Sequence, residues 1–211
     1  MSVQERKERE RASRERLIVA TARELAEQQG WDAVTTRKLA ERIEYSQPVL
    51  YSHFRGKREI IGAVALDGAG ELATALRAAT ATVEGARARV TALARAYLDF
   101  AEKNPAVYDA VFRLDGGLAF AREDTPEPLK EGFAALMETL GEVAGEGVHP
   151  ALFTEVFWAS LHGLATLSRA GRLPPEYTEQ RLELLVERLP WCEPPGQWIH
   201  LRTDSLEDGL T

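Results

Sequence analysis

The stretch TTRKLAERIEYSQPVLYSHF, residues 35 to 54, holds two short apolar patterns at helical spacing with a break between them. Leu39, Ala40 and Ile43 form the first pattern; Val49, Leu50 and Phe54 form the second. Thr35 or Thr36 stands where a cap would open the first helix. Ser46 stands where one would open the second, with Pro48 in the first turn, where a missing N–H is harmless. Glu44 and Tyr45 are left as a turn. Two helices of this size joined by three or four residues make a helix-turn-helix, whose second helix is thin enough for a major groove. With Val49, Leu50 and Phe54 as anchors, Gln47, Pro48, Tyr51, Ser52 and His53 fall on or beside the exposed side. Gln can pair with an adenine edge, Tyr and His can donate to phosphate, and Pro can touch a thymine methyl. Spacing alone fits equally well a helical hairpin in an all-α core with solvated polar residues.

Working outward, Ile18, Ala22, Leu25 and Ala26 recur at helical spacing ahead of Gly30, so a first helix ends near Gln29. Before it, QERKERERASRER (4 to 16) has six basic and four acidic residues; it reads as a solvated or frayed extension, or as an arm that touches DNA. The whole chain of 211 residues has a formal net charge of −7, which argues against a uniformly basic nucleic-acid-coating protein. The mean hides a division. Residues 1 to 60 hold 13 Lys and Arg against 10 Asp and Glu, and the remainder is acidic, as expected if only the head meets phosphates.

Beyond residue 57 the pattern stays helical, over 57–80, 86–103, from Pro105 through Phe112, from Pro126 to about Val143, from Pro150 to Gly171, and 174–189. Residues 113–128 are the one long loop-like stretch. The expected fold is all-α, an N-terminal three-helix helix-turn-helix domain followed by a helical domain. The boundaries are 1–60 for the extension and head and 61–190 for the body. Residues 191–211 form an irregular tail, with Trp191 or Trp198 docking on the body. Leu152, Phe153, Val156, Phe157, Trp158, Leu161, Leu164 and Leu167 wrap too much of one helix for a single core face, which predicts burial on a second side, within the chain or against a second copy. The helix after Lys57 alone belongs by sequence to both head and body, and Gly62, Gly68 and Gly70 make it locally soft or let neighbours approach closely.

TTRKLAERIEYSQPVLYSHFRGKREII resembles the DNA-binding domain of the TetR family of bacterial repressors, with TTRKLA, QPVLYSHF and Lys57 in register over roughly residues 15 to 62. The resemblance implies that Arg37, Gln47 and Pro48 meet base edges and that Thr36, Val49, Tyr51, His53 and Lys57 meet the sugar-phosphate backbone. Lys57 would stand at the start of a helix, whose N–H groups help hold a phosphate; Arg55 and Arg58 could assist. Family members commonly have glycine where this chain has Glu44, so the turn is either remodelled or strained by about 1–3 kcal/mol. The resemblance further implies that the second domain is a helical ligand-binding and dimerisation domain with a four-helix interface in a homodimer, and that the partners are a double-stranded DNA operator and a small-molecule effector.

WASLHG, 158 to 163, resembles the Trp-x-x-x-His-Gly signature of one regulatory subgroup of that family. Trp158 and His162 are one turn apart and share a face. With Tyr97, Phe100, Tyr108, Phe112, Phe133 and Phe157 they could line a pocket or simply pack as core. No nucleophile elbow, P-loop or H-E-x-x-H occurs, and DGAGEL (67 to 72) lacks the strand and third glycine of a dinucleotide site, so no enzyme and no cofactor are expected. One cysteine and four scattered histidines give no metal spacing. Apolar runs are broken before 18 residues and the first residues are charged, so neither a membrane span nor secretion is expected and the location is cytoplasmic.

Overall fold

In the computed structural model, which describes residues 2–189, every regular element is a helix. The expected tail over 191–211 lies outside the described residues. α1 spans Val3–Gln29, α2 Thr36–Arg42, α3 Gln47–His53, α4 Lys57–Thr80 and α5 Ala86–Lys103. α6 (Pro105–Phe112), α7 (Glu127–Leu140), α8 (Pro150–Arg169) and α9 (Thr178–Glu187) complete the order.

α1 begins earlier than a frayed extension would. Ser2 Oγ accepts from the Glu5 amide at 3.1 Å and the Ser2 amide donates to Glu5 Oε2 at 2.9 Å, a capping box that satisfies two end donors. Arg6–Glu10 and Arg11–Glu15, at 3.6 and 3.0 Å, add i,i+4 pairs. The run 4–16 is therefore helix, almost wholly exposed, and α1 turns apolar only at Ile18, where it enters the core.

Leu25, Leu39, Leu50 and Ile60 are 1% exposed or less and join α1, α2, α3 and α4 in one apolar cluster that continues into the C-terminal helices. Fully burying each such side chain contributes about 1.5–3 kcal/mol relative to exposure. α4 is the hub, packing on α1, α5, α6 and α7. Ile61, Ala65, Gly68, Leu72 and Leu76 are among the residues on its buried side. Small residues there set the spacing. A Cβ on Gly62 would stand 2.5 Å from the Gly116 carbonyl oxygen, and one on Gly68 would overlap Val107 Cγ1. These two glycines are close-approach positions, whereas Gly70 faces open space. Of the two readings of these glycines, close approach by neighbours holds at Gly62 and Gly68, while Gly70 has no such neighbour.

α4 is not the sole bridge between the first helices and the rest. Glu27, near the end of α1, accepts from the Ala106 and Val107 amides at 3.0 and 3.2 Å, so a carboxylate of α1 caps α6. The Trp31 indole donates to the Ala106 carbonyl at 2.8 Å, and Arg23 donates to Asn104 at 3.0 Å. Arg58, on the first turn of α4, pairs with Asp115 at 2.9 Å. None of the described helices is long and apolar enough to cross a membrane.

Candidate nucleic-acid interface and aromatic cluster

The turn between α2 and α3 closes without glycine. Glu44 takes φ 58°, in the left-handed region, while the Tyr45 amide donates to Ala40 at 2.9 Å and the Glu44 amide to Glu41 at 3.4 Å. These are the paired bonds of a Schellman helix end. The strain is accepted, and the turn keeps its shape. Thr35 Oγ1 accepts from the Lys38 amide at 3.2 Å to cap α2. Ser46 precedes α3 without a side-chain cap, and Pro48 sits in its first turn.

On this frame Gln47, Pro48, Tyr51 and Ser52 are exposed, Val49 is half-buried and Leu50 is fully buried beneath them. Thr36 Oγ1 and the Tyr51 phenol are 3.4 Å apart, joining the start of α2 to the outer face of α3. Arg37 is exposed and donates to Glu41 at 2.9 Å, a bond that raises the guanidinium pKa further. The Ser52 hydroxyl donates to the Val49 carbonyl of its own helix at 2.7 Å. Thr36, Arg37, Gln47, Pro48, Tyr51 and Ser52 thus lie on the α2–α3 pair with polar atoms at or near its surface.

Two predicted residues behave differently. The His53 side chain is only 5% exposed, and its Nδ1 lies 3.2 Å from Glu15 on α1. His53 follows Leu50 by three residues, which puts both on the side of α3 turned toward the other helices. Arg11 and then His53 hold the Glu15 carboxyl below its ordinary pKa. Lys57 does start α4, but its ammonium donates to the Trp31 carbonyl instead of pointing freely outward. Sequence reasoning missed Glu15, Glu27 and Trp31, since each acts on a residue distant in the chain. The i,i+3 relation of Leu50 and His53 was the one local signal.

The eight aromatic and histidine positions divide. Tyr97 and Phe100 of α5, Tyr108 of α6 and Phe157 of α8 are buried, whereas Phe112, Phe133, Trp158 and His162 are partly buried. Tyr97, Tyr108, Phe112, Trp158 and His162 pack ring on ring, with centroids 4.8–6.4 Å apart. A bonded series runs through them: Trp158 Nε1 to Tyr97 Oη at 3.0 Å, Tyr97 Oη to Tyr108 Oη at 3.0 Å, and Tyr108 Oη to His162 Nδ1 at 2.7 Å. An indole can only donate, so one consistent arrangement has Tyr97 donate to Tyr108 and Tyr108 to a neutral His162. Nε2–H is then left for Thr166, whose Oγ1 is 3.5 Å away. Burial pushes Tyr108 up to about 12 and also raises Tyr97, while burial and then Arg113 lower His162. The structure joins five of the eight in this cluster. None of the eight lines the surface cleft between α5, α8 and α9 or the one between α1 and α4.

A helix-turn-helix whose second helix shows a polar outer edge, carried on an all-α body, defines a helical DNA-binding regulator. Comparison with known proteins makes the class specific. Residues 18–64 match the family described as bacterial regulatory proteins, tetR family, and residues 90–189 match the tetracyclin repressor-like C-terminal domain. The chain belongs to the TetR family of transcriptional regulators. It is 47% identical over 47 residues to the class G tetracycline repressor protein of Vibrio anguillarum, covering 22% of each chain. Over 102 residues it is 33% identical to the HTH-type transcriptional activator FasR of Mycolicibacterium smegmatis, covering 48% of this chain and 46% of that one. The chain thus matches less than half the length of either curated relative. A solved structure of a Rhodococcus sp. RHA1 protein of unknown function superposes with a TM-score of 0.67 at 27% identity, over 83% of this chain and 94% of that one.

Proposed function

We propose that the protein acts in the cytoplasm, without catalysing a reaction, as a homodimeric repressor. It occupies a pseudo-palindromic duplex operator and leaves it when a small molecule binds its C-terminal helices. The observation that carries this reading is the outer edge of α3: Gln47 and Pro48 stand exposed at its start, on the turn that also carries the half-buried Val49 and the fully buried Leu50 that fixes the helix. Gln47, Pro48 and Arg37 are assigned to base edges. Thr36, Val49, Tyr51 and Ser52 are assigned to the sugar-phosphate backbone, with Lys57 held on Trp31 at the same end of α4. His53 is reassigned from phosphate contact to aiming α3 through Glu15.

Dimerisation is supported by an apolar strip left uncovered on the last helices. Leu152 is 58% exposed, Val156 61%, Leu167 46% and Leu184 52%. Leu152, Val156 and Leu167 are spaced to follow one side of α8. Four-helix pairing of two copies would cover this strip and set two heads side by side. An activator using the same DNA contacts is the second reading, favoured by the kinship with a named activator.

Selection from a random duplex pool tests the assignment. The expected sites are inverted repeats whose half-site centres lie about 34–36 Å apart, or slightly more. Gln47→Ala should cost about 1–3 kcal/mol and relax preference at particular base pairs in each half. A Gln47→Ala protein that selects the same sequence as the parent would show the docking to be wrong. Transcription in vitro from a template bearing the selected site then separates repression from activation.

A further inference from the structure

Where the end of α8 and the start of α9 meet α5, a cleft of about 580 Å³ opens to the surface. This is within the usual range for small-molecule sites. Leu98 and Ala101 of α5, Leu164 of α8, and Leu173 and Pro174 of the connection give it apolar walls. Its charged lining is Arg169, Arg172 and Arg181 against one carboxylate, Glu102, among the described residues.

The three arginines are not equally occupied. Arg169 pairs with Asp109 at 3.1 Å, donates to the Pro105 carbonyl at 3.1 Å and lies 5.3 Å from the Tyr108 ring centroid. Arg172 has no side-chain partner among the described residues. Arg181 lies 6.0 Å from the Tyr177 ring centroid, and its Nη1 is buried without a hydrogen-bond acceptor among the described residues. The group that best suits a lining of three guanidinium groups against one carboxylate is a planar anion, because a guanidinium presents paired donors in a fork that matches a carboxylate. A cation would meet three positive charges, and a neutral apolar guest would bring the arginines of the lining no anion.

We propose that this cleft binds an amphipathic organic carboxylate, its apolar body against Leu98, Ala101, Leu164 and Leu173 and its carboxylate on Arg181 and Arg172. The consequence for DNA rests on the reading of the protein as a ligand-released regulator. Arg169, in the same lining, clamps α6 at Pro105 and Asp109, and α6 is tied to the head by Glu27 and Trp31. A bound carboxylate that draws Arg169 from Asp109 alters the hold of α6 on α1.

Calorimetry on the full chain tests the site with 2-naphthoate and decanoate, each against the alcohol of the same skeleton. At least one carboxylate should saturate the protein below about 1 mM and bind about tenfold or more tighter than its alcohol. The double variant Arg172→Gln, Arg181→Gln should lose that preference while still binding the alcohol. Glu102→Gln, which removes the opposing charge and leaves both arginines in place, should tighten carboxylate binding and provides the reading if the double variant fails to fold. No saturation by either carboxylate, equal binding of acid and alcohol, or a preference that survives the folded double variant overturns the site; if that variant does not fold, failure of Glu102→Gln to tighten binding does so. DNA release is measured separately on the selected duplex. Carboxylate binding with no loss of DNA affinity supports the site and counts against release. A compound that releases DNA and binds the double variant undiminished supports release and overturns this cleft as its seat.

Discussion

Glu44 shows how a single backbone angle can be inherited by an unfavoured residue. At φ 58° a Cβ is crowded by the backbone, yet the paired amide bonds after α2 and the burial of Leu39 and Leu50 on either side leave the chain no other turn. Glu44→Gly should therefore stabilise the fold by about 1 kcal/mol, read as a higher urea midpoint at unchanged slope; a lower midpoint would show that the Glu44 side chain contributes more than its strain costs. His162 gives the other residue-scale expectation. Its pKa is lowered in the folded protein, chiefly by burial, so the unfolded chain takes up this proton first as pH falls through about 6.5. Its contribution to stability is present above that pH and is lost as pH falls toward the lowered folded value. A protonated Nδ1 could no longer accept from Tyr108, which gives the same sign. The urea midpoint should drop between pH 7.5 and 5.5, about as set by the ordinary histidine pKa. His162→Gln should make the drop shallower, and an equally steep drop in that variant would assign the titration elsewhere.

At the scale of elements, α4 carries two kinds of glycine that look alike in sequence. Gly68 admits Val107 of α6, so Gly68→Ala should destabilise by about 1–3 kcal/mol through overpacking. Gly70 meets nothing within 4 Å, so Gly70→Ala should stabilise by about 0.8–1.0 kcal/mol, the ordinary helix gain. Thermal midpoints of the two single variants check this, and a stabilising Gly68→Ala would mean that α6 does not press on α4 as described. The α1 extension follows the same lesson: its composition read as solvated or frayed, and it is solvated, while a reciprocal cap and repeated i,i+4 pairs are local interactions that hold it helical.

The molecule as a whole leaves an apolar strip uncovered, and its consequence is assembly. Val156→Glu places a charge on a residue that is 61% exposed in one chain, so the fold should keep its helical content. If two copies meet there, sedimentation should change from dimer to monomer and DNA affinity should fall about 100-fold or more, since the second head no longer binds from the same body. A variant that stays dimeric would move the interface away from Val156.

Helix-turn-helix geometry was legible in the sequence because it is local: Leu39, Ala40 and Leu50 at helical spacing, a threonine cap and a proline in a first turn need only neighbours a few residues away. The exposed edge at Gln47 and Pro48 followed from the same spacing, as did most helix boundaries. The inward turn of His53 onto Glu15, the capping of α6 by Glu27, the Lys57–Trp31 contact and the two tight glycines were decided by the tertiary structure. Each joins groups on different elements, and a helical period tells which face is buried without telling which partner it meets. So too with the arginines beside α5, α8 and α9: separate surface charges along the chain, they become one lining when three helices converge.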